Sequence, residues 1–217
     1  MIDIHTHILP KVDDGARSLE EATELVRKSI ENGVSKIILT PHFISGTYDK
    51  EYNDVHKLFT VFKKKIEENF MIEVLLSQKI FYSKNISYLF NKGYVNSINN
   101  TRYVLTELPI VKAVEYEEFF YEIGLIGKRI IIAHPERSLW LELSDIEKLV
   151  KLGLYIQVNS GSLLGDFGNK VKRRAKTLLK MQLVHFVASD THRSKIRTPN
   201  LDKELHYVRR QYGIKEE

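Results

Sequence analysis

The stretch Ile2-Asp3-Ile4-His5-Thr6-His7 opens the chain with a strict alternation of apolar and polar residues. This period of two predicts a half-buried β-strand, on which Asp3, His5 and His7 project from one face. Two imidazoles spaced two residues apart on one strand face can bind the same divalent ion. An isolated His-x-His pair is more often structural, so the assignment depends on what the later strands carry.

The composition is that of one globular domain with a sizeable core, with 217 residues, 43% hydrophobic and 28% charged. The chain has no cysteine, which excludes disulfides, zinc fingers and the cysteine nucleophile of common tyrosine phosphatases. Any metal must therefore be held by histidine and carboxylate. The formal net charge of +5 favours anionic substrates. No apolar run approaches the roughly 18 residues of a membrane span and no signal peptide precedes the first strand, so we expect a cytoplasmic protein.

About seven apolar strands alternate with helical segments, for example over residues 35–40, 129–133 and 183–188, and a last helix is predicted over 202–212. This alternation predicts a parallel sheet, and the nearly continuous apolar strands predict a sheet that is covered on both faces. The sheet either closes into a (β/α) barrel one unit short of eight or stays open as a doubly wound sheet. Both architectures place ligands at the carboxyl ends of the strands.

Histidines and carboxylates concentrate at the predicted carboxyl ends of these strands. Asp190 and His192 repeat the two-residue spacing of His5 and His7. Nitrogen and oxygen ligands without sulfur suit manganese, iron or zinc, and several carboxylates allow a cluster in which two ions activate water and clamp a phosphoryl group. The candidate metal ligands are His5, His7, Asp14, His42, Glu107, His134, Asp190 and His192.

Six motifs give the chain a family resemblance: Ile2-Asp3-Ile4-His5-Thr6-His7, Val12-Asp13-Asp14-Gly15, Pro41-His42, Ala133-His134-Pro135-Glu136-Arg137, Gln157-Val158-Asn159-Ser160 and Ala188-Ser189-Asp190-Thr191-His192. The chain resembles the polymerase-and-histidinol-phosphatase (PHP) superfamily. Within it, the chain is most similar to the bacterial manganese-dependent protein-tyrosine phosphatases of the CpsB type, from capsule and exopolysaccharide operons. The resemblance covers essentially the whole chain as a single domain, residues 1–217, and implies a distorted seven-stranded (β/α) barrel.

The resemblance also implies a site for up to three Mn²⁺ ions. Matched by motif, the ligands are His5, His7 and Asp190 for the first ion, Glu107 and His134 for the second, and Asp14, His42 and His192 for the third. Arg137 and Arg197 match the arginines that bind substrate phosphate, a role that suits a planar guanidinium. The implied substrate is a tyrosine-phosphorylated protein, namely the phosphorylated tail of a bacterial tyrosine kinase.

Lys79 departs from the family pattern. It lies in Ser77-Gln78-Lys79-Ile80-Phe81, where the family has a glutamate that bridges the first two ions. A protonated ammonium cannot ligate a metal, so we expect lower metal occupancy, above all at Glu107 and His134, and low activity. The family pattern also continues into a further helix beyond Glu217, so the resemblance predicts a truncated C-terminus.

Two classes of function remain open on the sequence. The first is a phosphoesterase, either a protein-tyrosine phosphatase or another PHP enzyme such as a histidinol phosphatase. The second is a phosphate-binding pseudoenzyme, disabled at Lys79, that only docks a phosphorylated tail. The basic stretch 170–176 is more typical of a solvated helix face than of an acidic-partner site, and few aromatic residues interleave with it. We therefore expect no nucleic-acid binding.

Overall fold

Short apolar strands alternate with helices throughout the computed structural model, which describes residues 1–202 and residue 208. The strands are β1 (Ile2–Thr6), β2 (Lys36–Leu39), β3 (His42–Phe43), β4 (Glu73–Leu76), β5 (Lys79–Phe81), β6 (Tyr103–Glu107), β7 (Arg129–Ala133), β8 (Tyr155–Asn159) and β9 (Phe186–Ala188). The helices are α1 (Leu19–Glu31), α2 (Tyr52–Asn69), α3 (Ile86–Asn91), α4 (Glu117–Leu125), α5 (Leu143–Lys151), α6 (Ser160–Leu164) and α7 (Asn169–Lys180). Most of the helix predicted over 202–212 lies outside the described residues.

The strands form two parallel sheets, ordered β1-β2-β4 and β3-β5-β6-β7-β8-β9. Only two residues separate β2 from β3, and only two separate β4 from β5. Ladder hydrogen bonds continue across these gaps, because Ser77 N donates to Leu39 O at 2.8 Å and Lys79 N donates to Pro41 O at 3.0 Å. The two sheets are therefore consecutive parts of one curved wall.

The wall closes where the first strand meets the segment after the last one. Asp190 N donates to His5 O at 3.0 Å, and His7 N donates to Thr191 O at 2.7 Å. A parallel bridge joins Thr191 to Thr6. Closure creates a barrel in which the carboxyl ends of the strands meet at a single rim, where parallel barrels carry their sites.

The predicted α/β class with a parallel sheet is confirmed, and the described residues contain nine strand segments where about seven strands were predicted. The extra segments arise from interruptions within two strands. Between β2 and β3, Pro41 has no N–H to donate, and Thr40 Oγ1 both accepts from Thr6 N and donates to Thr6 O. These side-chain hydrogen bonds supplement the backbone bond that Thr40 N donates to Thr6 O at 2.8 Å.

The barrel interior is apolar along the middle of several strands and polar near their carboxyl ends. Ile38, Leu105 and Ile131 form an apolar cluster of their own, separate from the two larger clusters that include helix residues. Outside the wall, α1 begins at Ser18, whose Oγ accepts from Glu21 N at 3.2 Å, and buries an apolar face against the sheet. No helix within residues 1–202 is long and apolar enough to cross a membrane.

Candidate metal centre

The eight residues predicted as metal ligands lie together at the carboxyl rim of the barrel. They belong to β1, β3 and β6 and to the segments that follow β1, β7 and β9. Most of their side chains are buried, and the Asp14 carboxylate, in the loop after β1, is the most accessible, with 35% of its side chain exposed. The rim therefore combines histidine nitrogens and carboxylate oxygens in a largely dry environment.

Two groups of these side chains have donor atoms close enough to hold a metal ion. The first group consists of His7, Asp14, His42 and His192, and the second of His5, His7 and Asp190. Within each group, the donor atoms all lie within 4.8 Å of one another. His7 belongs to both groups, so two ions held there would be neighbours.

The first group contains buried polar atoms whose positions suit a shared ion. Asp14 Oδ1 and His192 Nε2 face each other at 3.5 Å, and neither makes a hydrogen bond within the described residues. Leaving such atoms unpaired costs about 1–3 kcal/mol each. When two ligand atoms each lie about 2.1 Å from one tetrahedral ion, the distance between the two atoms is close to the 3.5 Å that separates Asp14 Oδ1 from His192 Nε2. The donor atoms of this group therefore fit a divalent ion.

Asp13 orients the shared ligand His7. His7 Nδ1 donates to Asp13 Oδ2 at 2.6 Å, and the same oxygen accepts from His42 N at 2.8 Å. The His7 Nε2 lone pair is thereby directed into the site. Gly15 N donates to Asp13 Oδ1 at 2.9 Å, and a Cβ at position 15 would overlap the His7 carbonyl oxygen. Glycine is required there because the loop returns so close to the strand.

Gln157 and Asn159 on β8 orient the second group. His5 Nδ1 lies 2.9 Å from Gln157 Oε1, Gln157 Nε2 donates to Asn159 Oδ1 at 2.9 Å, and Asn159 Nδ2 donates to Asp190 Oδ2 at 2.8 Å. This series of hydrogen bonds holds a proton on His5 Nδ1 and leaves His5 Nε2 facing Asp190 Oδ1 at 2.9 Å. No role was predicted from the sequence for Asp13, Gln157 or Asn159. The role of Gln157 and Asn159 could have been predicted from their two-residue spacing on β8, which puts both side chains on the strand face that borders the site.

Two of the predicted metal ligands reach the site through left-handed backbone turns. His134 has φ 36° and Asp190 has φ 54°, both uncommon for residues with a Cβ. Backbone hydrogen bonds hold these turns, since His134 N donates to Gln157 O at 2.7 Å and Asp190 N donates to His5 O at 3.0 Å. Such strain persists where surrounding structure imposes it, and it concentrates at functional sites.

Burial and neighbouring charges set the protonation states that a metal requires. Burial lowers the pKa of His7 and that of His134 well below the usual range, and the charge of Lys79 lowers both further. Burial alone would raise the pKa of Asp190, but the charge of Lys79 leads the interactions that outweigh burial and hold this pKa well below its usual range. The site thus presents neutral imidazoles with an ionised carboxylate, the forms that ligate metals.

Arg137 and Arg197 border the same cluster. Arg137 Nη1 lies 3.3 Å from Asp190 Oδ2, and its guanidinium carbon lies 4.2 Å from the centre of the Phe167 ring. Arg197 Nη1 lies 3.2 Å from Asp190 Oδ2, and its Nη2 lies 3.3 Å from Asp14 Oδ2. The two arginine side chains are 17% and 23% exposed, so both can contact an anion at the mouth of the site.

Lys79 lies inside the cluster, with only 1% of its side chain exposed. Its Nζ is 3.0 Å from Glu107 Oε2, 3.5 Å from His134 Nε2 and 3.7 Å from Asp190 Oδ1. In the described part of the chain, Glu107 and His134 belong to neither of the two metal-binding groups. The side chains at the rim therefore fit two ions, while the ion that was predicted at Glu107 and His134 does not fit beside the ammonium.

Glu136 is a buried carboxyl next to this cluster. Its Oε1 accepts from Ser162 Oγ at 2.6 Å and from Asn159 N at 3.0 Å, whereas its Oε2 makes no hydrogen bond with any described residue. Burial raises the pKa of Glu136 from 4.5 to about 7, although these hydrogen bonds lower it in part. The folded state consequently holds a proton that the unfolded state releases.

We predict that Glu136→Gln flattens the pH dependence of stability. A carboxyl whose pKa is raised on folding contributes stability that is present below its unfolded pKa and lost as pH rises through its folded pKa. Between pH 5 and pH 8, the unfolding free energy of the wild type should fall relative to the variant by about 2.5 kcal/mol. Urea unfolding with chelator at four pH values measures this difference.

Glu147→Gln, on α5, controls for removal of a surface charge. This variant should show the same change in unfolding free energy between pH 5 and pH 8 as the wild type. Parallel stability curves for wild type and Glu136→Gln would contradict the raised pKa of Glu136.

Comparison with known proteins places the chain in a family. The family model for capsular polysaccharide synthesis proteins, CpsB/CapC, matches residues 1–217. The tyrosine-protein phosphatase YwqE of Bacillus subtilis is 36% identical over 217 residues, which cover 98% of this chain and 85% of the relative. The tyrosine-protein phosphatase CpsB of Streptococcus agalactiae serotype III is 30% identical over 222 residues, covering 98% of this chain and 91% of the relative.

Solved structures agree with this placement. A crystal structure from work on YwqE of Bacillus subtilis and CpsB of Streptococcus pneumoniae, described as unique metal-dependent tyrosine phosphatases, superposes with a TM-score of 0.91 at 36% identity. The match covers 99% of this chain and 89% of that structure. A putative histidinol phosphatase of Listeria monocytogenes has a TM-score of 0.51 at 15% identity over 88% of this chain and 95% of its own, which shows a shared fold alone. This chain belongs to the CpsB/CapC family of capsular polysaccharide synthesis proteins.

Proposed function

We propose that this protein is a metal-dependent protein-tyrosine phosphatase that acts in capsule or exopolysaccharide synthesis. The observation that carries the proposal is the cluster of histidines and carboxylates at one barrel rim, bordered by two arginines that contact the same carboxylates. The relatives YwqE and CpsB, which are named tyrosine-protein phosphatases, support the substrate class. A cysteine nucleophile cannot operate in a chain without cysteine.

The two groups of donor atoms would hold two divalent ions. One ion would be held by His7, Asp14, His42 and His192, and the other by His5, His7 and Asp190. Manganese is the metal we propose, with iron or zinc as alternatives, because the ligands are nitrogen and oxygen without sulfur. When bound, these ions would activate a water molecule and neutralise charge on the phosphoryl group.

The arginines would position the phosphoryl group. Arg137 and Arg197 can each offer two parallel N–H donors to phosphate oxygens, a geometry that fixes orientation as well as charge. The contact between Arg137 and the Phe167 ring limits the rotamers of that guanidinium and so preorganises it. With phosphorus held at the mouth, the tyrosine oxygen can depart toward solvent. Its pKa of about 10 makes it a better leaving group than a serine alkoxide.

The substrate that we propose is the phosphorylated tail of a bacterial tyrosine kinase. An extended tail can reach a site on an open barrel rim, and a net charge of +5 favours an anionic segment. Because a tyrosine kinase consumes ATP, its product is made in the cytoplasm. We therefore propose that compartment for the phosphatase reaction.

Turnover of phosphopeptides tests the proposal. The chain should release phosphate from a phosphotyrosine peptide and from p-nitrophenyl phosphate when Mn²⁺ is added, and much more slowly from a phosphoserine peptide. A chelator should stop the reaction. A chain that binds the phosphotyrosine peptide without turnover in manganese, iron or zinc would instead be a phosphate-binding pseudoenzyme. Preferential hydrolysis of histidinol phosphate would favour that other class of PHP enzyme.

We predict that Arg137→Ala weakens the binding of phosphotyrosine by about 10- to 100-fold, the equivalent of losing a charge-assisted hydrogen bond. Arg137→Lys should recover only part of this loss, because an ammonium cannot make two parallel contacts. Isothermal titration of the protein with phosphotyrosine in the presence of a chelator, which prevents turnover, measures the affinity. Arg129→Ala is the matched control, since Arg129 bonds to Tyr155 Oη at 2.8 Å away from the cluster. Equal affinity for wild type and Arg137→Ala would refute the assignment of Arg137.

We also predict that Asp13→Asn weakens Mn²⁺ binding by about 10- to 100-fold, the usual effect of losing a residue that orients a metal ligand. The side-chain amide of the variant would place N–H donors at the position where the Asp13 carboxylate now accepts hydrogen bonds from His7 Nδ1 and His42 N. Titration of the metal-free protein with Mn²⁺ gives the affinity. Asp145→Asn, which removes a surface carboxylate paired with Lys148, should bind Mn²⁺ like the wild type.

A further inference from the structure

A buried lysine among metal-binding side chains requires partners, because an unpaired ammonium is strongly disfavoured away from water. Lys79 belongs to the largest fully buried side chains of the described residues. Its Nζ contacts two carboxylates, Glu107 Oε2 at 3.0 Å and Asp190 Oδ1 at 3.7 Å. The ammonium is therefore charge-paired within the cluster, and no solvent route is needed to account for its burial.

Lys79 Nζ also fills the space that an ion held by Glu107 and His134 would need. Such an ion would lie about 2.1 Å from one atom of each residue. The ammonium nitrogen already lies 3.0 Å from Glu107 Oε2 and 3.5 Å from His134 Nε2. The backbone anchors this position, because Lys79 N donates to Pro41 O and Lys79 pairs with Leu105 on β6.

Glu107 depends on this ammonium more than the other carboxylates do. Asp190 Oδ2 also receives Arg137 and Arg197 at 3.3 and 3.2 Å. Within the described residues, the other ionisable groups near Glu107 are two imidazoles, His42 Nδ1 at 3.6 Å and the ring of His134 at 3.9 Å. Lys79 is thus the cation that neutralises Glu107.

We propose that the Lys79 ammonium is a resident cation that takes the place of one divalent ion, so that this site binds two metal ions together with the ammonium. The inference rests on the proposed function for the two remaining ions, and it deepens that function. Positive charge beside Glu107 would then come from the protein itself. Unlike a bound metal, this charge cannot be removed by a chelator.

Metal counting tests the proposal. Wild-type chain equilibrated with excess Mn²⁺ and passed over a desalting column should retain no more than two ions per chain by elemental analysis. Lys79→Glu should retain three, because the substitution changes the local charge by two, the charge of one divalent ion, and adds oxygen ligands. Lys36→Met, which removes an ammonium paired with Glu73 at the surface, should retain as many ions as the wild type.

Stability without metal supplies an independent reading. In excess chelator, Lys79→Met should lower the Tm by about 5–15 °C, because it leaves the buried Glu107 carboxylate without its cation. Lys36→Met should change the Tm by no more than about 2 °C, as expected for a surface ion pair. This measurement does not require that Lys79→Glu folds well.

The outcomes separate this inference from the proposed function. Three ions retained by the wild type, or a chelated Lys79→Met as stable as the chelated wild type, would overturn the role of Lys79. Turnover of p-nitrophenyl phosphate is measured on the same samples. An inactive wild type with two ions would count against the phosphatase and leave Lys79 as proposed. An active wild type that retains three ions would support the phosphatase and overturn the role of Lys79.

Discussion

The hydrogen bonds between the first strand and the segment after the last strand make the site possible. Asp190 N to His5 O and His7 N to Thr191 O join opposite ends of the chain. Both groups of metal-binding donors take residues from the two sides of this seam. A sheet left open at this edge would carry the same side chains. The donor atoms within each group would then be too far apart to bind the same ion.

The closed barrel also divides its interior into two environments. Apolar side chains such as Ile38 and Leu105, in the middle part of their strands, fill the barrel below the rim. The opposite end contains imidazoles and carboxylates that are almost as well buried. Polar groups at that depth need partners, and Gln157 and Asn159 supply some of them through one chain of hydrogen bonds. Preorganisation of the ligands is thus a consequence of satisfying buried polar atoms.

The three cations of the site differ in how they can act. Arg137 and Arg197 are partly exposed at the mouth and can contact an incoming anion. Lys79 is enclosed and paired with Glu107, so its charge serves the interior of the site. Accessibility, more than charge, separates a group that binds substrate from one that balances buried carboxylates. On this view, Lys79 makes the electrostatics of the rim partly independent of metal supply.

Much of this arrangement could be predicted from the sequence. The alternation at the start of the chain indicated a strand with His5 and His7 on one face, and the apolar runs indicated a parallel α/β fold whose strand ends carry polar side chains. These inferences hold because side-chain direction along one strand follows from covalent geometry. The breaks between β2 and β3 and between β4 and β5 were not predicted, because a short interruption hardly alters an apolar run.

Only the tertiary structure decided which side chains meet. Whether His7 is shared by two groups, whether Asp13 or Gln157 orients a ligand, and whether Lys79 lies between Glu107 and His134 all depend on distances between different strands. Those distances follow from strand register, barrel closure and the left-handed turns at His134 and Asp190. The sequence by itself determined the kinds of donor atoms and the rim on which they lie. Their grouping around particular ions required the closed barrel, because residues far apart in the chain acquire a mutual distance only when the wall is complete.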